Sequence, residues 1–182
     1  MNAEMQLPHD FLLNLREETD WTFVIKAHVY AEALLSHAIL CALGNERIAQ
    51  QISCLTMRNK IEWAATLGLI GKDGKRFLSA MSMLRNKAAH DISAFTFSFA
   101  HLFDGDVRKR KERVNDLAYF ASEEDIRSRW QIVEGLLVRN TKESVWWSLI
   151  HLTGVIWWKK ENARLQNVTD VIKRQVRESL DG

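Results

Sequence analysis

An all-α bundle of about six or seven helices is the fold this sequence predicts, and three observations predict it. Eight glycines and one proline in 182 residues leave little room for a turn-rich β architecture. Ala, Leu, Glu, Lys and Arg, all good helix formers, fill the long segments. Apolar residues recur at spacings of three and four through most of the chain, the period of one helix face. At this length a single domain buries a real core without cross-links.

Pro8 to Glu18 reads as a short opening helix, with Pro8 in its first turn and Phe11, Leu12 and Leu15 on one face. Asp20 is the expected cap of the next helix, Trp21 to Leu43, which Gly44-Asn45 ends. Its stripe includes Phe23, Ala27, Tyr30, Ala31, Leu34, Leu35, Ala38 and Leu43. Asn45 to Ser53 holds one short turn or helix, and Thr56 to Ile70 forms another helix that Gly71 stops. Lys72 to His90 directs Phe77, Ala80, Met81, Leu84 and Ala88 at a core.

Phe95, Phe97 and Phe99 alternate as in a short strand, but no second strand is visible to pair with them, so loop followed by helix is the expectation. A charged helix starts at Arg108 and becomes apolar at Leu117 to Phe120. Ser122-Glu123-Glu124-Asp125 has capping-box form and opens a helix through Trp130, Val133, Leu136 and Leu137. Asn140 or Thr141 caps the next. Val145 to Trp158 is 14 residues without a formal charge, too short to span a bilayer. Trp146, Ile150, Thr153 and Trp157 share a stripe there, so a buried helix is expected. A last amphipathic helix, Asn167 to Leu180, carries Val168, Ile172, Val176 and Leu180 toward this bundle or a second subunit.

The formal charge of +2 makes the whole molecule no polyanion binder. Residues 1–103 balance ten basic against ten acidic side chains, and the remainder carries 15 against 13. Any nucleic-acid contact must therefore be local. Cys41 and Cys54 show no paired spacing, and Cys41, in an apolar helical run, reads as a small core residue. With no signal-peptide pattern at the start, a cytoplasmic location and no membrane partner are expected.

The chemistry concentrates in Arg85-Asn86-Lys87-Ala88-Ala89-His90. A permanent cation, an amide and an imidazole lie within six residues, groups that bind phosphate, orient a nucleophile and move a proton near neutral pH. Asn86 and His90, four apart, share a helix face, whereas Arg85 sits about 140° from His90 around the axis. A second copy of the helix across a two-fold axis would bring Arg85 and His90 together better than one copy can. The competing reading makes Arg85 and Asn86 solvated residues and His90 a C-terminal cap favoured by the helix dipole.

The order of three segments resembles the HEPN superfamily of helical bundles, in the branch similar to the mannitol operon repressor family. They are Ala31-Glu32-Ala33-Leu34-Leu35, then Lys60-Ile61-Glu62-Trp63-Ala64-Ala65-Thr66-Leu67-Gly68-Leu69-Ile70, then Leu84-Arg85-Asn86-Lys87-Ala88-Ala89-His90-Asp91. The similarity covers about residues 20–95, leaving 96–182 as a helical extension packed on that core. It implies an α-helical homodimer and, as in many members, metal-independent RNA cleavage at the dimer seam. Arg85 and His90 match the family's Arg-x4–6-His pair, and Asn86 its polar residue after Arg. By that resemblance His90 takes the proton from a ribose 2′-hydroxyl or protonates the leaving 5′-oxygen. Arg85 stabilises the phosphorane, and Asn86 holds His90 or the phosphate. The products would carry 2′,3′-cyclic phosphate and 5′-hydroxyl ends, with no cofactor.

A toxin or phage-defence effector, with an antitoxin or regulatory protein as partner, is the role such a member would play. Ile92 stands where toxins controlled by tyrosine modification carry Tyr, so that control is not expected. Members similar to the mannitol operon repressor imply the alternative, a non-catalytic regulator or scaffold for a protein partner.

Outside the motif, Lys87, Arg108, Lys109, Arg110 and Lys111 are candidate RNA-phosphate contacts, against the reading of a solvated helix start. Cations there disfavour the positive helix end. Glu32, on a largely apolar helix, is a candidate supporting residue paired with Arg85 or Lys26. The tryptophans of the last third fit core or interface better than RNA stacking. His9, His28, His37, His101 and His151 pair with no Cys or carboxylate at metal spacing, so no metal site is expected.

Overall fold

A computed structural model gives the conformation of residues 9–90, 97–104 and 106–180. Pro8, Ile92 and Phe95, each named in an expectation above, lie outside the described residues. Nine α-helices and no strand occur among those described. They are α1 (His9–Glu17), α2 (Asp20–Leu43), α3 (Ala49–Ser53), α4 (Met57–Thr66), α5 (Lys72–His90), α6 (Val107–Leu117), α7 (Glu123–Ser128), α8 (Trp130–Arg139) and α9 (Thr141–Leu180). The all-α bundle is therefore as expected, with nine helices described where about six or seven were expected.

Central α2 packs against α4, α5 and α9, α6 lies on α5 and α9, and α8 lies on α6 and α9. An 18-residue window of α2 is apolar enough to cross a membrane, and 56% of that window is buried inside the bundle. Phe23, Leu35, Ile39, Phe77, Leu78, Leu149 and Leu152 are fully enclosed. Each such side chain contributes about 1.5–3 kcal/mol relative to exposure. Where α6 ends in the core, Ser148 Oγ donates to Leu117 O at 2.8 Å and accepts from Phe120 N–H at 3.2 Å. Those bonds satisfy backbone groups that a helix end would otherwise leave bare.

Several boundaries differ from the sequence reading, each for a local reason. Thr19, not Asp20, caps α2, accepting from Thr22 N–H. Asp20 instead accepts from Phe99 N–H at 2.9 Å and Ser98 Oγ at 3.1 Å, fastening the 97–104 segment to the bundle. That segment holds one 3₁₀ turn, Phe99–His101. Helix α4 stops at Thr66 because Gly68 takes φ +71°. The N–H of Leu69 then returns to Ala64 O at 2.9 Å and Leu69 and Ile70 fold into the core.

The helix expected through Ser122 to Leu137 breaks at Arg129, whose backbone (φ −125°, ψ 32°) is not helical. Conversely, the two helices expected after Asn140 are one, the 40-residue α9. Its buried stripe is Val145, Leu149, Leu152, Ile156 and Lys160, so Trp146 and Thr153 are buried while Trp157 is not. Trp146 donates to Leu12 O at 2.6 Å, and Trp147 and Trp158 are exposed.

Candidate functional site

The last turns of α5 present the motif. Met81, Leu84 and Ala88 face the core, so Arg85 sits at the edge of the buried face and Asn86, Lys87 and His90 project outward. Arg85 Nη1 donates to Asn86 Oδ1 at 2.9 Å. Asn86 thus holds Arg85, whereas the resemblance assigns it to His90 or the phosphate. Below them Trp21 Nε1 donates to Ala88 O at 2.9 Å, tying the end of α5 to the start of α2.

Beneath Arg85 lies a polar cluster that sequence reasoning missed. His28 of α2, only 3% exposed, places Nε2 3.4 Å from Ser82 Oγ, and the Ser82 hydroxyl donates to Leu78 O at 2.9 Å. His28 Nδ1 is buried with no hydrogen-bond partner. Burial pushes the His28 pKa below the ordinary value, and the charges of Arg85 and Lys60 push it the same way against Glu32. The signal was in the sequence: His28 and Glu32 are four apart on the α2 face that also carries Val24, Ala27, Ala31 and Leu35.

Glu32 pairs with neither Arg85 nor Lys26. Its Oε1 lies 2.7 Å from Nζ of Lys60, an α4 lysine only 3% exposed, while Lys26 engages Glu18. Lys60 sits on the inward face of α4 beside Ile61 and Ala64, where, among the described residues, the Glu32 carboxylate and, at 3.5 Å, the Ser53 carbonyl meet its ammonium. A groove of about 230 Å³ runs beside this cluster between α4 and α5, lined by Arg58, Ile61, Glu62, Ser79 and Ser82. Ser82 therefore links the groove to the buried imidazole.

The basic run does not form one patch. Arg108 pairs with Glu112 at 3.4 Å, and Lys109 is exposed. Arg110 approaches Glu134 of α8 at 2.9 Å, and Lys111 Nζ stands 5.6 Å from the Trp130 ring centroid. Successive residues on a helix turn by about 100°, so four consecutive cations point to four sides. Asp106 caps this helix, accepting from Arg108 N–H at 3.0 Å, and its carboxylate offsets the unfavourable basic start. Among the described residues no three His, Cys, Asp or Glu side chains gather in a metal-binding group.

What these groups define chemically is an arginine and an amide joined at a solvent-facing helix end, with an exposed imidazole one turn on. No family model matches the chain, and no curated protein or solved structure matches it either.

Proposed function

We propose that this chain is a HEPN-like, metal-independent endoribonuclease that works as a homodimer, with Arg85, Asn86 and His90 as its catalytic set. The observation that supports it is the Arg85–Asn86 bond at the exposed end of α5. It aims a guanidinium along the helix surface, where a phosphate can reach it, with His90 open to solvent one turn beyond.

In the proposed reaction a 2′-oxygen attacks phosphorus, the P–O5′ bond breaks, and a 2′,3′-cyclic phosphate and a 5′-hydroxyl result. His90 of one copy takes the 2′-hydroxyl proton and returns a proton to the departing 5′-oxygen, at a site whose Arg85 comes from the other copy. Arg85 stabilises the charge that builds on the phosphorane oxygens. The same dimer would present Lys87 toward the RNA backbone.

The test is incubation of the purified protein with mixed RNA in chelator, beside Arg85→Ala and His90→Ala. Chelator-resistant cleavage leaving cyclic phosphate ends, reduced about 100-fold or more in each variant, is the expected result. RNA that stays intact at high protein concentration, with wild type and variants alike, sinks the proposal for those substrates.

One observation favours a second reading, a non-catalytic regulator that binds a protein partner. Leu165, Val168 and Ile172 of α9 are each at least half exposed and spaced three and four apart, an apolar stripe on the solvent-facing side of a helix whose Asn167 bonds the end of α2. Intact RNA together with a defined partner complex that α9 truncation abolishes would favour that reading.

A further inference from the structure

A cleft of about 360 Å³ opens where α5, α6, α7 and α8 meet, lined by Arg76, Lys111, Asn115, Ile126, Arg127 and Trp130. Three of those six side chains are cations and none is a carboxylate. Lys111 and Asn115, four apart, share one face of α6. The Lys111 ammonium stands over the Trp130 ring, 5.6 Å from its centroid. Arg76 gives Nη2 to Asp73 at 2.6 Å, but its Nε is buried with no hydrogen-bond partner. Asp116 also stands within the field of Arg76. Neither Asp73 nor Asp116 lines the cleft.

Such a lining selects its ligand by charge and shape. Arg76 pairs with Asp73 and Arg127 has a partner within the protein, so the cleft favours a dianion, which can compete for both guanidiniums and take Lys111 as well, over a single carboxylate. A phosphate monoester supplies about −1.5 to −2 charges at neutral pH, with three strong acceptor oxygens. Guanidinium forks match those oxygens in pairs. Ile126 and Trp130 offer an apolar wall beside the cations, and the cleft has the volume of a small-molecule site, about 300–1,000 Å³.

We propose that this cleft binds a small phosphate monoester with a flat or apolar body. Arg76, Lys111 and Arg127 hold its phosphate, and Ile126 and Trp130 face its body. The site is separate from the Arg85–His90 end, since Arg76 lies about 13 Å back along α5. It stands whether or not the chain cleaves RNA.

Calorimetric titration of the full-length protein with inorganic phosphate, phenyl phosphate, AMP and adenosine tests it. Phenyl phosphate and AMP are expected to bind more tightly than inorganic phosphate, and adenosine not to saturate. Lys111→Gln should weaken phenyl phosphate about tenfold. Lys109→Gln, on the same helix outside the cleft, should leave it unchanged, with thermal melts showing both variants folded. Absence of saturable binding of either ester at millimolar concentration overturns the proposal. Equal losses in the two lysine variants, or no preference for phenyl phosphate over inorganic phosphate, do the same. Binding of a 5′-phosphorylated RNA oligonucleotide with neither small ester would overturn it in favour of a polymer end.

Discussion

The Trp21 indole N–H donates to Ala88 O at 2.9 Å across 67 residues of chain, fastening the turn that carries Arg85, Asn86 and His90 to the first turn of α2. The carbonyls of the last turn of a helix have no partner inside it. The indole supplies one and fixes the direction of the motif. Trp21→Phe keeps most of the apolar body and removes the donor. It should lower stability by about 1 kcal/mol and, if the proposed nuclease activity is present, lower RNA cleavage by more than the unfolded fraction explains. Chemical denaturation and single-turnover cleavage on the same preparation check this; unchanged cleavage would show that the pin does not position the site.

The Glu32–Lys60 pair joins α2 to α4 with its lysine end buried and its glutamate end 31% exposed. Breaking it leaves an ammonium without its counter-charge. Glu32→Gln should cost about 1–3 kcal/mol, less than for a fully buried pair because water reaches the carboxylate. Adding Lys60→Met should restore much of that loss, since an apolar chain of similar length tolerates the site. A double-mutant denaturation cycle measures both, and an additive result would mean the two side chains do not interact.

Stability should fall as the solution is acidified. Burial lowers the pKa of both His28 and His37 from the ordinary 6.5. A base depressed in the folded state takes up protons in the unfolded chain first. The stability it supports is therefore complete above pH 6.5 and is lost as pH falls from there through the folded-state pKa. Each histidine contributes a slope of at most about 1.4 kcal/mol per pH unit. Thermal melts of wild type and His28→Gln across that window should show a flatter profile in the variant. Parallel profiles would remove His28 from the account.

The proposed nuclease, with a site shared between two copies, makes its own prediction. Arg85→Ala and His90→Ala, each inactive alone, should recover activity when mixed and allowed to exchange subunits. Half of the dimers are then mixed and each holds one intact Arg85–His90 pair, so about a quarter of wild-type activity should return. Cleavage by the mixture no greater than by either variant would place both groups in one chain.

The motif helix was legible because everything that defines it is local. Phe77, Met81, Leu84 and Ala88 bury at helical spacing, and the bounds Lys72 and His90 are those observed. Other boundaries were less legible. Gly68 and Gly71 are both glycines, and only the burial of Leu69 and Ile70 selects Gly68 as the stop. The break at Arg129 has neither proline nor glycine to announce it. Helix α9 reads as two because the charged run from Lys159 to Arg164 separates its two apolar stretches, although no proline or glycine interrupts it there.

What the sequence by itself determined is the helical class, the span of α5 and the inward faces of α2 and α5. The candidate trio Arg85, Asn86 and His90 also comes from it, since periodicity and spacing are properties of short segments. Only the tertiary structure decided which charged and polar groups meet. Glu32 found Lys60 28 residues away, His28 came under Arg85, and Lys111 stood over Trp130 to edge a cleft. A helical period states which way a side chain points. What stands opposite is decided by how distant helices pack.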